Sequence, residues 1–586
     1  MVAVDVARIL AELDSGRTPA ELESQTLEFK QDKRLPEDTE RLIVEAAVCF
    51  ANGAGGTIVL GVADRGTGPQ AFLGTSLAID QLRQSVYAST QPGLLVEVQE
   101  LVHRGVRLLV VRVPEGVDVY ADSKGRPYQR IGNQCQPMPV AEATRLREER
   151  LGHDWSAEAS DRAPGDVSAA TLEAVRSVLS ALPDERRRLV SLSDLDMLRA
   201  LDLLAGDRLN RAGALLLLPA EAERPRLVYQ FRPTPGGEPT FSERLEGPLV
   251  TSFARVMEVV RTRLNSAPLN LPDGQQIQLQ DFPELAAREA IANGLVHRDY
   301  RLPGAVAIEH SPAVFAVTSP GPLVSGVTPE NILTHPPKPR NRTLANAARK
   351  LGFAEEFGRG IDRIYISLIR AGRGLPVIES DPGQVAVRMV GGAPNVHIAR
   401  YVASLPSVER DDTDALLVLY RLCSTRVVTP LTVAPLLQRS EAEAATILGR
   451  LAVDPPAMIE RTRPARGGAG PAYKLSGAAL AALGPAVAYQ VRSISDTDRK
   501  VVAHVVEYGK ITNRTVQNLF DVTVHPANAI IDDLVRREVL VKTSAQQRGP
   551  GVEYGPGPKF PHRARAGRRS QAPKAEGATL WDEPEP

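Results

Sequence analysis

Residues 282–300, FPELAAREAIANGLVHRDY, constrain what this chain can become more than any other stretch. Read as a helix, they place Glu289, Asn293 and His297 at successive i, i+4 positions on one face. Ala287, Ala290, Ile291 and Leu295 supply apolar positions around the other side. A carboxylate and an amide one turn apart are costly to bury unless they bind something. A Mg²⁺–nucleotide complex is one such partner, because magnesium keeps most of its waters and takes few protein oxygens. One Asn carbonyl can then be a ligand while the Glu orients or deprotonates a water. A satisfied polar patch at a domain interface is the other reading of a bare Glu-x3-Asn pair.

The surroundings favour the first reading. REAIANGLVHRDY resembles the first motif of the ATP-binding module in bacterial Schlafen AlbA-like regulators, a divergent branch of the Bergerat-fold (GHKL) ATPases. Two further stretches fit in order, VTSPGPL at 317–323 and RNRTLANAARKLGFAEEFGRGIDRI at 340–364. The resemblance implies ATP and Mg²⁺ as cofactors, with Glu289 as general base and Asn293 as the Mg²⁺ ligand. It further implies Gly321 in the adenine-side turn, and Gly358 and Gly360 as the glycine pair near the phosphates. Such glycines let a backbone approach phosphate closely and expose its N–H groups. His297 completes the polar face, and Arg298 either meets a phosphate or caps the helix C-terminus. Arg340 and Asn341 stand just before a helix expected from Thr343, an anion-facing position. Standard members of the class carry an Asp two residues before the adenine-side glycine; this chain has Ser319.

At 586 residues the chain exceeds one core, and its length suggests about three to five domains. Its 43% hydrophobic and 24% charged residues are those of a globular protein. Net charge is zero, so any nucleic-acid surface must be a local patch. Cys49, Cys135 and Cys423 are scattered singly, which predicts no disulfide and a reducing, cytoplasmic setting. No run reaches the roughly 18 apolar residues of a membrane span, and the first residues lack a basic leader. GxxxxGK[ST], HExxH and GxGxxG are all absent.

Residues 1–150 alternate helical and strand patterns and resemble the Schlafen AlbA-like domain through ESQTLEFK, FANGAGGTIVLGVADRG and YQRIG. Some Schlafen proteins are metal-dependent ribonucleases using three carboxylates, which would fall here on Glu23, Glu28 and Asp64. Three converging acids suit a two-metal phosphodiesterase; equally, Glu28 can pair with Lys30, and Asp64 is a common turn residue before Arg65-Gly66. Lys30, Lys33, Arg34, Arg126 and Arg130 are candidate phosphate contacts.

Residues 151–170 read as a linker and 171–245 as an α/β connector with LLLL, at 215–218, as a buried strand. Residues 246–395 read as the ATP-binding module. Two stretches, 407–480 and 493–545, each follow the three-helices-then-hairpin order of a winged helix, whose third helix reads DNA or else packs against protein. Residues 546–586 read as a basic disordered tail. The expectation is a multidomain α+β regulator that binds ATP and DNA, possesses slow ATPase activity, forms a homo-oligomer and contacts no membrane. RNA is a second candidate partner, and an ATP-gated Schlafen-type nuclease is the alternative function.

Overall fold

The computed structural model describes residues 6–221, 224–234, 236–271, 274–353, 358–453, 457–462, 471–487, 495–520, 524–544 and 552–560. Most of the expected basic tail, including Arg563, Arg565, Arg568, Arg569 and Lys574, lies outside them. The chain is a mixed α and β protein that divides into two compact units, Met1–Ala486 and Val487–Pro586. Among the described residues no helix is long and apolar enough to cross a membrane.

The first unit begins with a four-stranded sheet in the order Leu27–Lys30, Gly56–Leu60, Val106–Val113, Glu97–His103. The first pair is parallel and the others antiparallel. Helix Pro36–Asn52 makes the parallel crossover, with Pro36 in its first turn and Glu37 and Asp38 offsetting the dipole there. Strand Gly56–Leu60 is buried along its whole length, with apolar residues packed on both of its faces. Ile58 and Leu60 meet Ile43, Ala47 and Phe50 of that helix, while Val59 joins Leu10 and Leu13 of helix Val6–Asp14.

The cysteine expectation is overturned here. Cys49 and Cys135 form a disulfide with their Cα atoms 5.9 Å apart. Cys49 is on the crossover helix and Cys135 on the hairpin strand Gln134–Pro137. Their separation of 86 residues hides the pairing from any spacing rule.

A six-stranded sheet follows, in the order Phe241–Leu245, Leu227–Phe231, Val306–His310, Val314–Pro320, Gln384–Val390, Val377–Ser380. Only the contact between Leu227–Phe231 and Val306–His310 is parallel. Helices Leu249–Arg261, Glu284–His297, Arg342–Lys350 and Gly360–Arg370 share one apolar core with this sheet, including Val256, Ile291, Leu344 and Leu368. The LLLL run is not a strand: Arg211–Leu217 is a helix. A continuous apolar run carries no period to separate the two. The deciding residue is Asn210, whose side chain accepts a hydrogen bond from the Gly213 amide at 2.7 Å and caps the helix.

Residues 151–170 are packed rather than extended between modules. Ser156 is fully buried, Trp155 stacks on Tyr300, and Asp154 accepts from the Thr343 amide at 2.8 Å. Helices Thr413–Ser424, Pro430–Leu437 and Glu441–Val453 precede the hairpin Ile459–Thr462 and Ala472–Leu475. In the second unit, helices Ser495–Tyr508, Asn513–Phe520 and Val524–Arg536 accompany a three-stranded sheet of Ile511–Thr512, Glu553–Pro556 and Leu540–Lys542.

The helical form of residues 211–217 makes a definite demand. A Cβ on Gly213 would sit 2.5 Å from the Leu203 carbonyl oxygen, a backbone atom with little room to move. Gly213→Ala should lower stability by about 1–3 kcal/mol, the usual cost of overpacking. Thermal unfolding of the purified variant would check it; an unchanged midpoint would contradict this packing.

Candidate functional site

The start of helix Glu284–His297 is fixed by side chains just before it. Asp281 accepts from the Phe282 amide at 2.9 Å, and Gln280 accepts from the Glu284 amide at 2.7 Å. Ala286, Ala287, Ala290 and Ile291 turn into the core. Gly294 lets the helix lie close to the sheet, since a Cβ there would be 3.1 Å from both Val306 and Val317.

The remaining face lines a cavity of about 190 Å³. Glu289, Asn293, Gly294 and His297 form one wall; Val317, Ser319, Gly321, Val385 and Val387 form the sheet side. Residues 321–324, Val327 and Ile332, together with residues 335–339, close another side, and Gly358, Gly360 and Ile361 complete it. Hydrocarbon therefore dominates one end, while a carboxylate and an amide stand at the other.

Gly360 explains how these groups meet. A Cβ at this position would be 2.8 Å from Glu289 Oε2 and 3.1 Å from Asn293 Nδ2. Glycine lets the N-terminus of helix Gly360–Arg370 press against both residues, bringing its positive end to a buried carboxylate. Arg363 on the same helix places Nη1 3.3 Å from Glu289 Oε1. Glu289 is only 1% exposed, so this positive field is what its charge requires.

Gly321 has φ +97°, and a Cβ on it would lie 2.8 Å from Asp299 Cβ. Ser319 Oγ donates to the Gly294 carbonyl at 2.7 Å, which ties strand to helix and leaves the oxygen lone pairs on the cavity side to accept. His297 lines the cavity and is exposed there. The enclosing protein holds its pKa below the ordinary imidazole value, with the Arg340 charge adding to the effect. Its ring is neutral at pH 7.

Three residues expected on the ligand are instead structural. Arg340 pairs with Glu149 and, at 3.4 Å, with Asp299, and donates to the carbonyls of His297 and Pro322. Its guanidinium is already enclosed by these partners, although its position before a helix suggested an anion site. Asn341 donates from Nδ2 to the Val296 and Arg298 carbonyls, both at 2.8 Å, and so closes the end of helix Glu284–His297. Arg298 donates to the Leu302 and Gly304 carbonyls and lies over the Tyr300 ring. Sequence reasoning had no signal for these carbonyl contacts. It also passed over Lys338, Asp362 and Arg363, although Asp362 and Arg363 follow Gly360 within one helical turn.

The N-terminal carboxylates are not brought together as a metal site. Glu28 pairs with Arg130 and Lys30. Glu23 accepts from the Phe29 amide at 3.3 Å, and burial foremost, with the Glu28 charge adding, raises its pKa. Asp64 is on the surface, 3.9 Å from Lys33 Nζ. Among the described residues no group of three or more His, Cys, Asp or Glu could hold a metal ion. Of the phosphate candidates, Arg130 is buried and also donates to the Ser24 and Leu27 carbonyls, so it is withdrawn from nucleic acid. Lys30 is committed to Glu28 and Arg126 to Asp122, whereas Lys33 and Arg34 are exposed.

Residues 23–139 match the family model described as Schlafen, AlbA_2. Residues 305–389 match the model described as "Putative ATP-dependent DNA helicase recG C-terminal". The chain joins a Schlafen AlbA_2 region to a RecG-like HATPase region. The second match takes in four of the six strands of that sheet and the glycine pair; helix Glu284–His297 and the strands Leu227–Phe231 and Phe241–Leu245 precede it. The crystal structure of the DIP2311 protein from Corynebacterium diphtheriae is similar in fold, with 24% identity, a TM-score of 0.50, and coverage of 83% of this chain and 98% of that one. The solution structure of the N-terminal domain of a putative ATP-dependent DNA helicase RecG-related protein from Nitrosomonas europaea is 26% identical over 18% of this chain and 71% of that chain, at a TM-score of 0.15. No curated protein matches. The two domain matches connect the chain with nucleotide use and nucleic acid.

Two consequences follow from the reassigned residues. Asn341→Ala removes both donors from buried carbonyls and should cost about 1–3 kcal/mol, read from chemical denaturation. Burial alone would raise the Asp299 pKa, but hydrogen bonds from Arg301 and the charges of Arg340 and Arg301 hold it below the ordinary carboxylate value. Its stabilisation is thus present above about pH 4 and disappears as pH falls through the lower folded value. Asp299→Asn should be less stable at pH 7 and lose less on acidification; parallel pH profiles would refute this.

Proposed function

We propose that the cavity beside helix Glu284–His297 binds ATP with Mg²⁺, and that nucleotide occupancy modulates nucleic-acid binding by a regulator. The observation that carries this reading is the meeting of Glu289, Asn293 and the N-terminus of helix Gly360–Arg370 on the wall of a largely apolar cavity. The donor set fits a magnesium–phosphate group: an amide oxygen from Asn293, a neighbouring carboxylate, and backbone N–H groups at Gly360. Bound magnesium would neutralise phosphate charge. The apolar side, with Val317, Val385 and Val387, suits a purine ring, and the Ser319 oxygen is placed to accept from an exocyclic amine.

In this reading residues 246–395 are a divergent Bergerat-type module, whose strands continue a sheet that also takes in Leu227–Phe231 and Phe241–Leu245 and shares one core with the helices. Glu289 is the general base of a slow ATPase, and Arg363 holds its carboxylate in place. Residues 407–480 and 493–545 are winged helices, supported by three helices in each and by the hairpin after the first set and the strands Ile511–Thr512 and Leu540–Lys542 in the second, paired with Glu553–Pro556 just beyond it. DNA is the partner favoured by that pair, RNA the second. The nuclease alternative gains no support from Glu28, whose charge is met by Arg130 and Lys30.

Calorimetry on the full chain tests the site. Wild type should bind Mg²⁺-ATP saturably, and Asn293→Ala should weaken binding about tenfold or more. Glu289→Gln should retain binding while any hydrolysis falls about 10²-fold or more. Equal affinity in wild type and Asn293→Ala, or no binding by wild type, would remove the basis of the proposal.

A further inference from the structure

Residues 322–340 form one continuous segment along the cavity, contributing Val324, Val327, Ile332, Pro336 and Lys338 to its lining. The outer side of this segment is bonded to two other parts of the first unit. At one end it meets the N-terminal module. Ser325 receives a contact at each of its polar atoms: its amide donates to Glu149 Oε2 at 3.2 Å, its hydroxyl to Glu115 Oε1 at 3.1 Å, and its carbonyl accepts from Lys338 Nζ at 2.8 Å. Lys338 Nζ is also 3.7 Å from Glu115, and Gly326 approaches Glu115 so closely that a Cβ would lie 2.5 Å from its Oε2.

Farther along, the segment meets the turn between helices Pro430–Leu437 and Glu441–Val453. Gln438 occupies that turn with φ +54°. Its Oε1 accepts from the Leu333 amide at 2.7 Å, its Nε2 donates to the Pro329 carbonyl at 2.8 Å, and its own carbonyl accepts from Thr334 Oγ1 at 3.0 Å. One glutamine thus fixes a cavity wall to the middle of a three-helix set.

From this we infer that residues 322–340 are a coupling strap through which filling of the cavity is transmitted to the Gln438 turn on one side and to Glu115 and Glu149 on the other. The inference rests on the nucleotide reading of the cavity. A ligand that contacts Val327, Ile332 or Lys338 favours one strap position, and the seam carries that preference outward because its bonds are short and several. Linkage makes the effect reciprocal: whatever binds the three-helix set or the N-terminal module and prefers one strap position alters affinity in the cavity by the same factor.

Hydrogen exchange read by mass spectrometry on the full chain, with and without Mg²⁺-ATP, separates the possibilities. Expected in wild type is slower exchange at residues 284–297 and 322–340, extending to residues 430–453 by about fivefold or more. Gln438→Gly keeps the left-handed backbone readily while removing both side-chain bonds. In this variant slowing should persist at 284–297 and 322–340 and be lost at 430–453. Thr334→Val, which removes the remaining bond without changing shape, should reduce the effect at 430–453 in the same direction. Slowing confined to the cavity lining in wild type, or an effect at 430–453 that survives Gln438→Gly, would overturn the strap while leaving the nucleotide site standing. No slowing at 284–297 would overturn the nucleotide reading, and the strap with it.

Discussion

A carboxylate that is 1% exposed has to be answered by positive charge, and the answer given to Glu289 organises the centre of this protein. Arg363 and the N-terminus of helix Gly360–Arg370 supply it. For that helix to reach Glu289, position 360 cannot carry a side chain; for helix Glu284–His297 to reach the sheet, position 294 cannot either. Two glycines on different helices thus set the spacing of a three-part stack of sheet, helix and helix. The cavity is the space this stack leaves beside the Glu289 face. Its polar end is created by the same contact that makes the buried charge tolerable.

Much of this was legible because it is periodic. The i, i+4 stripe of Glu289, Asn293 and His297 appears where the sequence places it, on a helix that buries Ala287, Ala290, Ile291 and Leu295. Gly321, Gly358 and Gly360 also line the cavity. What could not be read was the destination of arginine. Arg130 and Arg340 are candidates for anions by their charge and position, and Arg298 for an anion or a helix cap, but each donates to backbone carbonyls. Five donors on a planar group let one arginine hold a loop, and no local pattern distinguishes that use from phosphate binding. The same limit applies to LLLL, which has no period, and to Cys49 with Cys135, which meet only through the tertiary fold.

Arginines used this way change how the zero net charge should be viewed. Arg150 donates to the Ala51 and Asp118 carbonyls, Arg226 to Leu215 and Leu218, and Arg373 to Gln280 and Gly392. Burial pulls the pKa of all three below the ordinary guanidinium value, yet each remains charged at neutral pH. Their cost of burial is offset by loops that would otherwise leave carbonyls unsatisfied. These arginines are thus spent on backbone carbonyls within the first unit. Among the phosphate candidates of the N-terminal module, Lys33 and Arg34 are exposed, and Lys33 lies 3.9 Å from the carboxylate of Asp64.

The seam along residues 322–340 has an energy suited to a reversible element. A typical protein hydrogen bond contributes about 0.5–1.5 kcal/mol net, so the three bonds at Gln438 together are worth a few kcal/mol at most. Measured couplings between sites usually fall at about 1–3 kcal/mol. A seam much stronger would weld the cavity wall to the helices and leave a ligand nothing to shift; a much weaker one would let the wall move alone. The apolar residues on the inner side of the segment, Val324, Val327 and Ile332, gain contact only when something fills the space they face. Ligand contact on the inside and hydrogen bonds on the outside therefore compete for the same backbone on comparable energy scales, which is the physical requirement for one to bias the other.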